Sequence, residues 1–202
     1  MKLINQIKQK MNQSKGFSTV ELIIVLLIIS ILIVIALPQI LTSRRLIRFS
    51  SLQRQITVTL RDARQEAMSQ RLPITVRYDD VNKRMITYGG KFGPVGTAAN
   101  LIADFSGEGL IQGEIIYGKP AGASASALGD SSNIETLVGG KAEIMFQVDG
   151  AVVDAGNNPQ NKALFFYDAK APSGVAFAIS VLGAGGRVKT WRYNPGTTNY
   201  VE

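Results

Sequence analysis

The apolar positions of this chain follow three successive patterns. From Phe17 to Leu37 they are almost continuous, and within the sixteen residues Leu22–Leu37 only Ser30 interrupts them. As a helix, the 21 residues from Phe17 would extend about 31 Å at 1.5 Å per residue, enough to cross a hydrocarbon core of about 30 Å. After Pro38 the apolar residues thin to Phe49, Leu52, Ile56, Leu60, Ala63 and Ala67. Their spacings of three and four predict an amphipathic helix to about Gln70, with Arg44, Ser51, Gln55, Arg61, Asp62 and Gln65 on its other faces. Leu72-Pro73 ends it, because proline disfavours helix at the residue before it. From Ile74 the period changes to two. Strands are predicted at Ile74–Tyr78, Arg84–Tyr88, Glu143–Val148, Ala151–Val153, Ala163–Tyr167, Val175–Val181 and Arg187–Tyr193. In the sixth of these, Val175, Phe177, Ile179 and Val181 face one way and Ala176, Ala178 and Ser180 the other. Gly89–Asn100 and Gly118–Asn133, rich in Gly, Ala and Ser, read as mobile loops.

One long helix followed by short strands predicts an α+β fold, with an antiparallel sheet packed on the second half of the helix. The divisions expected are 1–16, a basic leader; 17–38, a membrane-crossing helix; 39–72, its amphipathic continuation; and 73–202, a β-rich domain.

Charge gives the chain a direction. Residues 1–16 hold Lys2, Lys8, Lys10 and Lys15 and no acid. Lysines before an apolar helix predict a cytoplasmic N-terminus and a domain on the far side of the membrane; Arg44, Arg45 and Arg48 on that far side work against the rule. Positive charge continues over 44–91, reverses over 92–186 and returns in the tail with Arg187, Lys189 and Arg192. A uniformly basic nucleic-acid binder would not be distributed in this way.

The chain has no histidine and no cysteine. This excludes Ser-His-Asp and Cys-His catalysis, a disulfide framework, and zinc sites built on His or Cys. Asp79-Asp80 and the stretch Asp149–Asp154 could be read as carboxylate pairs or calcium ligands, but calcium takes six to eight oxygens from a compact loop, and Asp149-Gly150 reads more simply as a hairpin turn. Gly89, Gly90, Gly93 and Gly96 lack the strand and helix that flank a phosphate loop. No catalytic constellation emerges, so the expectation is a protein that is not an enzyme and holds no cofactor or metal.

Three ordinary readings of the apolar segment compete: a cleaved secretory signal, a plain signal anchor and a buried helix of a soluble protein. Ile35-Ala36-Leu37-Pro38 is a poor signal-peptidase site. None of the three accounts for Glu21, since an acid at the edge of a membrane helix is costly and such residues generally serve a function. If the chain were cut before Phe17, the new α-amino group would lie four residues from Glu21, one turn away, free to pair within the chain or with a neighbouring subunit.

Lys15-Gly16-Phe17-Ser18-Thr19-Val20-Glu21-Leu22, followed by an apolar helix, resembles the type IV prepilin signal. The resemblance implies that a prepilin peptidase cuts between Gly16 and Phe17 and that Phe17 is N-methylated. It also implies that Glu21 guides assembly and that Pro38 matches the proline that bends many pilin helices. Leu60-Arg61-Asp62-Ala63-Arg64-Gln65-Glu66-Ala67, Leu72-Pro73-Ile74-Thr75-Val76, Phe146-x-x-Asp149-Gly150 and Gly186-Arg187-Val188 are similar, in that order, to segments of the GspH/FimT-like minor pseudopilins and pilins. Membership would make the chain a low-copy subunit of a type II secretion pseudopilus or a type IV pilus, sited in the bacterial inner membrane and then in the filament. Its partners would be other pilins or pseudopilins and the prepilin peptidase. The alternative is an independent membrane-anchored binding domain.

Some FimT-like pilins are associated with DNA uptake, and Gly186-Arg187-Val188-Lys189 resembles their late Gly-Arg-x-Arg signature, with lysine in the last place. Period two puts Arg187, Lys189, Trp191 and Tyr193 on one strand face, where cations could meet phosphates and rings could stack on unpaired bases. The competing reading is a solvated edge strand whose cations discourage edge-to-edge pairing, with both rings packed on the sheet.

Overall fold

The computed structural model describes residues 17–89, 101–104, 115–124, 128–154, 156–170 and 175–202. Among these residues there are one helix and ten strands. Helix α1 spans Thr19–Gln70, longer than either half predicted from sequence taken alone, with Pro38 inside it. The strands are β1 Ile74–Asp79, β2 Arg84–Tyr88, β3 Leu101–Asp104, β4 Ile115–Tyr117, β5 Asn133–Ile134, β6 Lys141–Phe146, β7 Lys162–Asp168, β8 Ala176–Val181, β9 Val188–Asn194 and β10 Asn199–Val201. The chain forms two compact units that divide between Arg45 and Leu46.

In the first unit the helical stretch Thr19–Leu37, of mean hydropathy 3.4, is long and apolar enough to cross a membrane and is wholly unburied. A helix apolar on every side needs apolar surroundings on every side. Ser30, the one polar residue within Leu22–Leu37, is satisfied internally: its Oγ donates to the carbonyl of Leu26 at 2.7 Å. That bond lets a polar side chain sit in an apolar medium without an orphaned group.

The second unit has its own core. The six apolar positions picked out by helical spacing, Phe49 through Ala67, are all buried, from 0% to 6% exposed. Two sheets share the core with them. The first has the order β3-β2-β1-β6 and the second β10-β9-β8-β7-β4, with β5 pairing parallel to β7 beside β4. Ile74, Val76 and Tyr78 of β1, Ile144 and Phe146 of β6, Leu164 and Phe166 of β7 and Phe177 and Ile179 of β8 meet the helix stripe in one cluster. The other face of the second sheet is covered as well: Ala163, Phe165, Ala178 and Trp191 form a smaller cluster with Leu128. Burial on both faces explains why β7 and β8 read as near-continuous apolar runs, where a sheet solvated on one side would alternate.

Several expectations require correction. The segment Gly118–Asn133, read as a mobile loop, contributes to burial: Leu128 is 5% exposed and Ser132 fully buried. Gly129 lies so close to Trp191 that a Cβ there would stand 3.2 Å from the indole ring. Ala151–Val153 does not form a strand of either sheet but makes isolated bridges from Val152 to Phe146 and from Val153 to Pro159. Strand β6 ends at Phe146, two residues short of the prediction, and β9 begins at Val188, leaving Arg187 in the preceding turn. Strands β3, β4, β5 and β10 were not foreseen. Residues 90–100 of the first predicted loop lie outside the described residues.

The carboxylates considered as calcium ligands are turn-formers. Asp79 Oδ1 accepts from the backbone N–H groups of Val81 and Asn82 at 3.1 Å each, and Oδ2 accepts from Asn82 Nδ2 at 2.7 Å. Asp149 Oδ1 accepts from Ala151 N, and Asp154 Oδ1 accepts from Gly156 N and Asn158 N. Among the described residues no group of three acidic side chains could hold a metal. Burial opposes the charge on Asp79, but the hydrogen bonds from Asn82 and Val81 and the nearby Arg84 outweigh it and hold the carboxyl below its ordinary value of 3.8. A depressed folded-state value stabilises the fold above the unfolded value and is lost as pH falls through the folded one. Asp79→Ala is therefore expected to cost about 1–3 kcal/mol at neutral pH. In urea titrations the gap from wild type should narrow below about pH 4; a pH-independent gap would refute the assignment.

Candidate functional site: the start of the helix and the tail strand

At the N-terminal end the helix starts with Ser18, whose carbonyl accepts from Leu22 N at 3.1 Å. Phe17, 76% exposed, and Ser18 precede the first helical residue, Thr19. Glu21 lies in the first turn, where the unpaired N–H groups and the macrodipole favour a carboxylate. It is exposed and has no ion pair among the described residues. Gly16 and the side chain of Pro38 lie outside the described residues.

In the tail, the registers settle which way each residue points. Partners across an antiparallel pair share a face. Trp191 opposes Ala178 and Lys189 opposes Ser180, whereas Thr190 opposes Ile179 and Val188 opposes Val181. The alternation expected for Lys189, Trp191 and Tyr193 therefore holds. The availability of the rings does not. Trp191 and Tyr193 are each 5% exposed. Trp191 Nε1 donates to Ser180 Oγ at 2.8 Å, and Ser180 Oγ in turn donates to Asp130 of the covering segment. Lys189 lies 5.4 Å over the Trp191 ring and pairs with Glu202 Oε2 at 2.8 Å. Of the set Arg187, Lys189 and Trp191, only Arg187 is exposed, and neither the Trp191 nor the Tyr193 ring is free to stack on a base. Strand β10 flanks the far end of β9, pairing with Arg192–Asn194.

The structure brings together three residues from segments far apart in the chain. An added Cβ at Gly186 would lie 1.9 Å from the carbonyl oxygen of Gly150 and 2.8 Å from Arg64 Nε. One at Gly150 would lie 2.9 Å from Met68 Sδ and 3.1 Å from Arg64 Nε. Both glycines have positive φ, 81° at Gly150 and 57° at Gly186. The Arg64 guanidinium, its Nε buried without a hydrogen-bond partner, thus lies across two turns whose backbones touch. These residues belong to the Ala-Arg-x-Glu-Ala, Asp-Gly and Gly-Arg segments. Their spatial convergence joins the end of the helix to both later turns, a role in packing that their sequence order alone did not disclose.

No family model and no curated protein matches the chain. Among solved structures, the type IV minor pilin FimU of Pseudomonas aeruginosa is similar at 17% identity, covering 74% of this chain and 90% of that chain with a TM-score of 0.44.

Proposed function

We propose that this protein is a minor pilin or pseudopilin, a low-copy subunit of a type IV pilus or a type II secretion pseudopilus that works by packing its N-terminal helix among those of its partners. The observation that carries this reading is the helical stretch Thr19–Leu37, of mean hydropathy 3.4 and unburied, with an acid in its first turn four residues after Phe17 of Lys15-Gly16-Phe17. The core of the second unit is drawn from Phe49 onward, so residues 19–37 contribute nothing to it and are available for other surfaces. In this reading residues 1–16 form the leader, prepilin peptidase cuts after Gly16, and Phe17 is methylated. The helix crosses the inner membrane with its N-terminus cytoplasmic until the subunit enters the filament. Glu21 supplies the charge that selects a neighbour.

The test is the mature N-terminus. Mass spectrometry of the protein purified from membranes of cells with a prepilin peptidase should give N-methylated Phe17 as the first residue. An intact leader, or cleavage near Ala36, would reject the assembly reading and leave an anchored domain or a secreted one.

A further inference from the structure

On the helix-facing side of the second sheet, cover runs out toward β10. Strand β8 is buried along its whole length and Val188 is 7% exposed, yet Thr190 is half-buried, Arg192 exposed and Val201 48% exposed. All of these lie on the face turned to the helix, because Arg192 opposes Phe177 of the main core and Val201 opposes Arg192. Beside them runs a flank of α1 carrying Arg54, Val58 and Arg61. The two walls border a groove of about 620 Å³, within the range of ordinary ligand sites.

Its chemistry is specific. Arg54 and Arg61 are seven residues apart, two helical turns or about 10 Å along one flank. Arg192 stands on the opposite wall. Among the described residues neither Arg61 nor Arg192 has an ion pair. The one acid at the rim, Glu202, is engaged by Lys189. Two half-exposed valines, Val58 at 52% and Val201 at 48%, give the groove an apolar seat on each wall. Among the described residues the strand bordering it, β10, is the terminal strand of its sheet.

We propose that this groove binds an extended acidic peptide segment of a partner protein, laid along the edge of β10. Its carboxylates would meet Arg54, Arg61 and Arg192, and its apolar side chains would meet Val58 and Val201. Strand addition supplies main-chain hydrogen bonds, and guanidinium forks favour carboxylates by geometry as well as charge. Nucleic acid fits less well. The rings of Trp191 and Tyr193 are buried on the opposite face, and a phosphate backbone offers nothing to the two valines. The inference does not depend on how residues 1–16 are processed.

The experiment uses the full chain in zwitterionic detergent micelles and fluorescence anisotropy at low salt. The probes are a labelled ten-residue peptide of alternating Glu and Val, its Lys–Val counterpart, and a ten-nucleotide single strand. The Glu–Val peptide should bind, and the other two should bind at least about tenfold more weakly. Arg54→Glu with Arg61→Glu, and separately Arg192→Glu, should each weaken it by about tenfold or more with melting temperature unchanged. Arg187→Glu, outside the groove, should leave it intact. If a reversal lowers the melting temperature, the glutamine variants at the same positions are read in its place. No binding at low salt, equal binding of the Lys–Val peptide or the oligonucleotide, or full binding by both groove variants would each overturn the proposal.

Discussion

Replacing Gly186 with alanine is expected to destabilise the second unit by about 3 kcal/mol or more. Two costs combine. The residue sits at φ 57°, in the left-handed region where a Cβ is strained. The new methyl would also stand 1.9 Å from the Gly150 carbonyl oxygen, a backbone atom that cannot rotate away. Relief requires moving one of two turns, and each is held in place. Gly186 N donates to Leu182 O at 2.7 Å, and Gly150 N donates to Gln147 O at 2.8 Å. Overpacking of this kind costs about 1–3 kcal/mol before the backbone strain is added. Its neighbour is the control: a Cβ on Gly185 meets nothing within 4 Å, so Gly185→Ala should be near neutral. Urea unfolding followed by the emission of the single tryptophan, which is buried and far more sensitive to loss of packing than to local mobility, measures both variants. Equal midpoints for the two would show that the contact between the turns carries no energy.

The second large effect is on assembly. Glu21→Ala should leave membrane insertion and the folding of the domain unchanged while abolishing incorporation into the filament. The domain is indifferent because its core begins at Phe49. Insertion should if anything improve, since an acid at the centre of a membrane helix costs about 2.5–3.5 kcal/mol and somewhat less toward its end. A residue retained against that cost needs a partner, and among the described residues of its own chain Glu21 has none. Glu21→Gln should be nearly as defective, because the amide keeps the shape and loses the charge. Pilus or pseudopilus yield, counted in cells lacking the wild-type copy, is the measurement. Normal yield with either variant would remove Glu21 from the mechanism while leaving the Phe17 processing test standing.

What could be read from the sequence was whatever repeats locally. Phe49, Leu52, Ile56, Leu60, Ala63 and Ala67 mark the buried stripe by spacing alone, because a helix forced onto a core leaves a period of three and four whatever covers it. Phe177, Ile179 and Val181 likewise declared one face of β8. Short pairings were not legible. Ile115–Tyr117 and Asn199–Val201 are three residues each, too few to display a period, and they are strands because β7 and β9 present edges to them. Trp191 shows the same limit at the site. Period two assigned its face correctly, but whether that face meets solvent depends on Leu128 and Gly129, some sixty residues earlier in a stretch whose Gly-Ala-Ser composition suggested a loop. Low complexity marks irregular backbone, not exposure. Arg64, Gly150 and Gly186 were noticed as motif residues, and nothing in their spacing could reveal that they touch.

The strand order also sets a sequence of events for folding. Strands β7, β8, β9 and β10 follow one another as an antiparallel meander, each pairing with the next in sequence. Such a unit can zip up from local contacts as soon as residues 162–201 are present. The first sheet cannot, because β1 pairs with β6, and Arg77 meets Glu143 across 66 residues of chain. Closing that loop carries an entropic barrier that the hairpins do not face. The meander and the β1–β2 hairpin therefore form first. Capture of β6 by β1, which closes the longer loop, is expected to follow them.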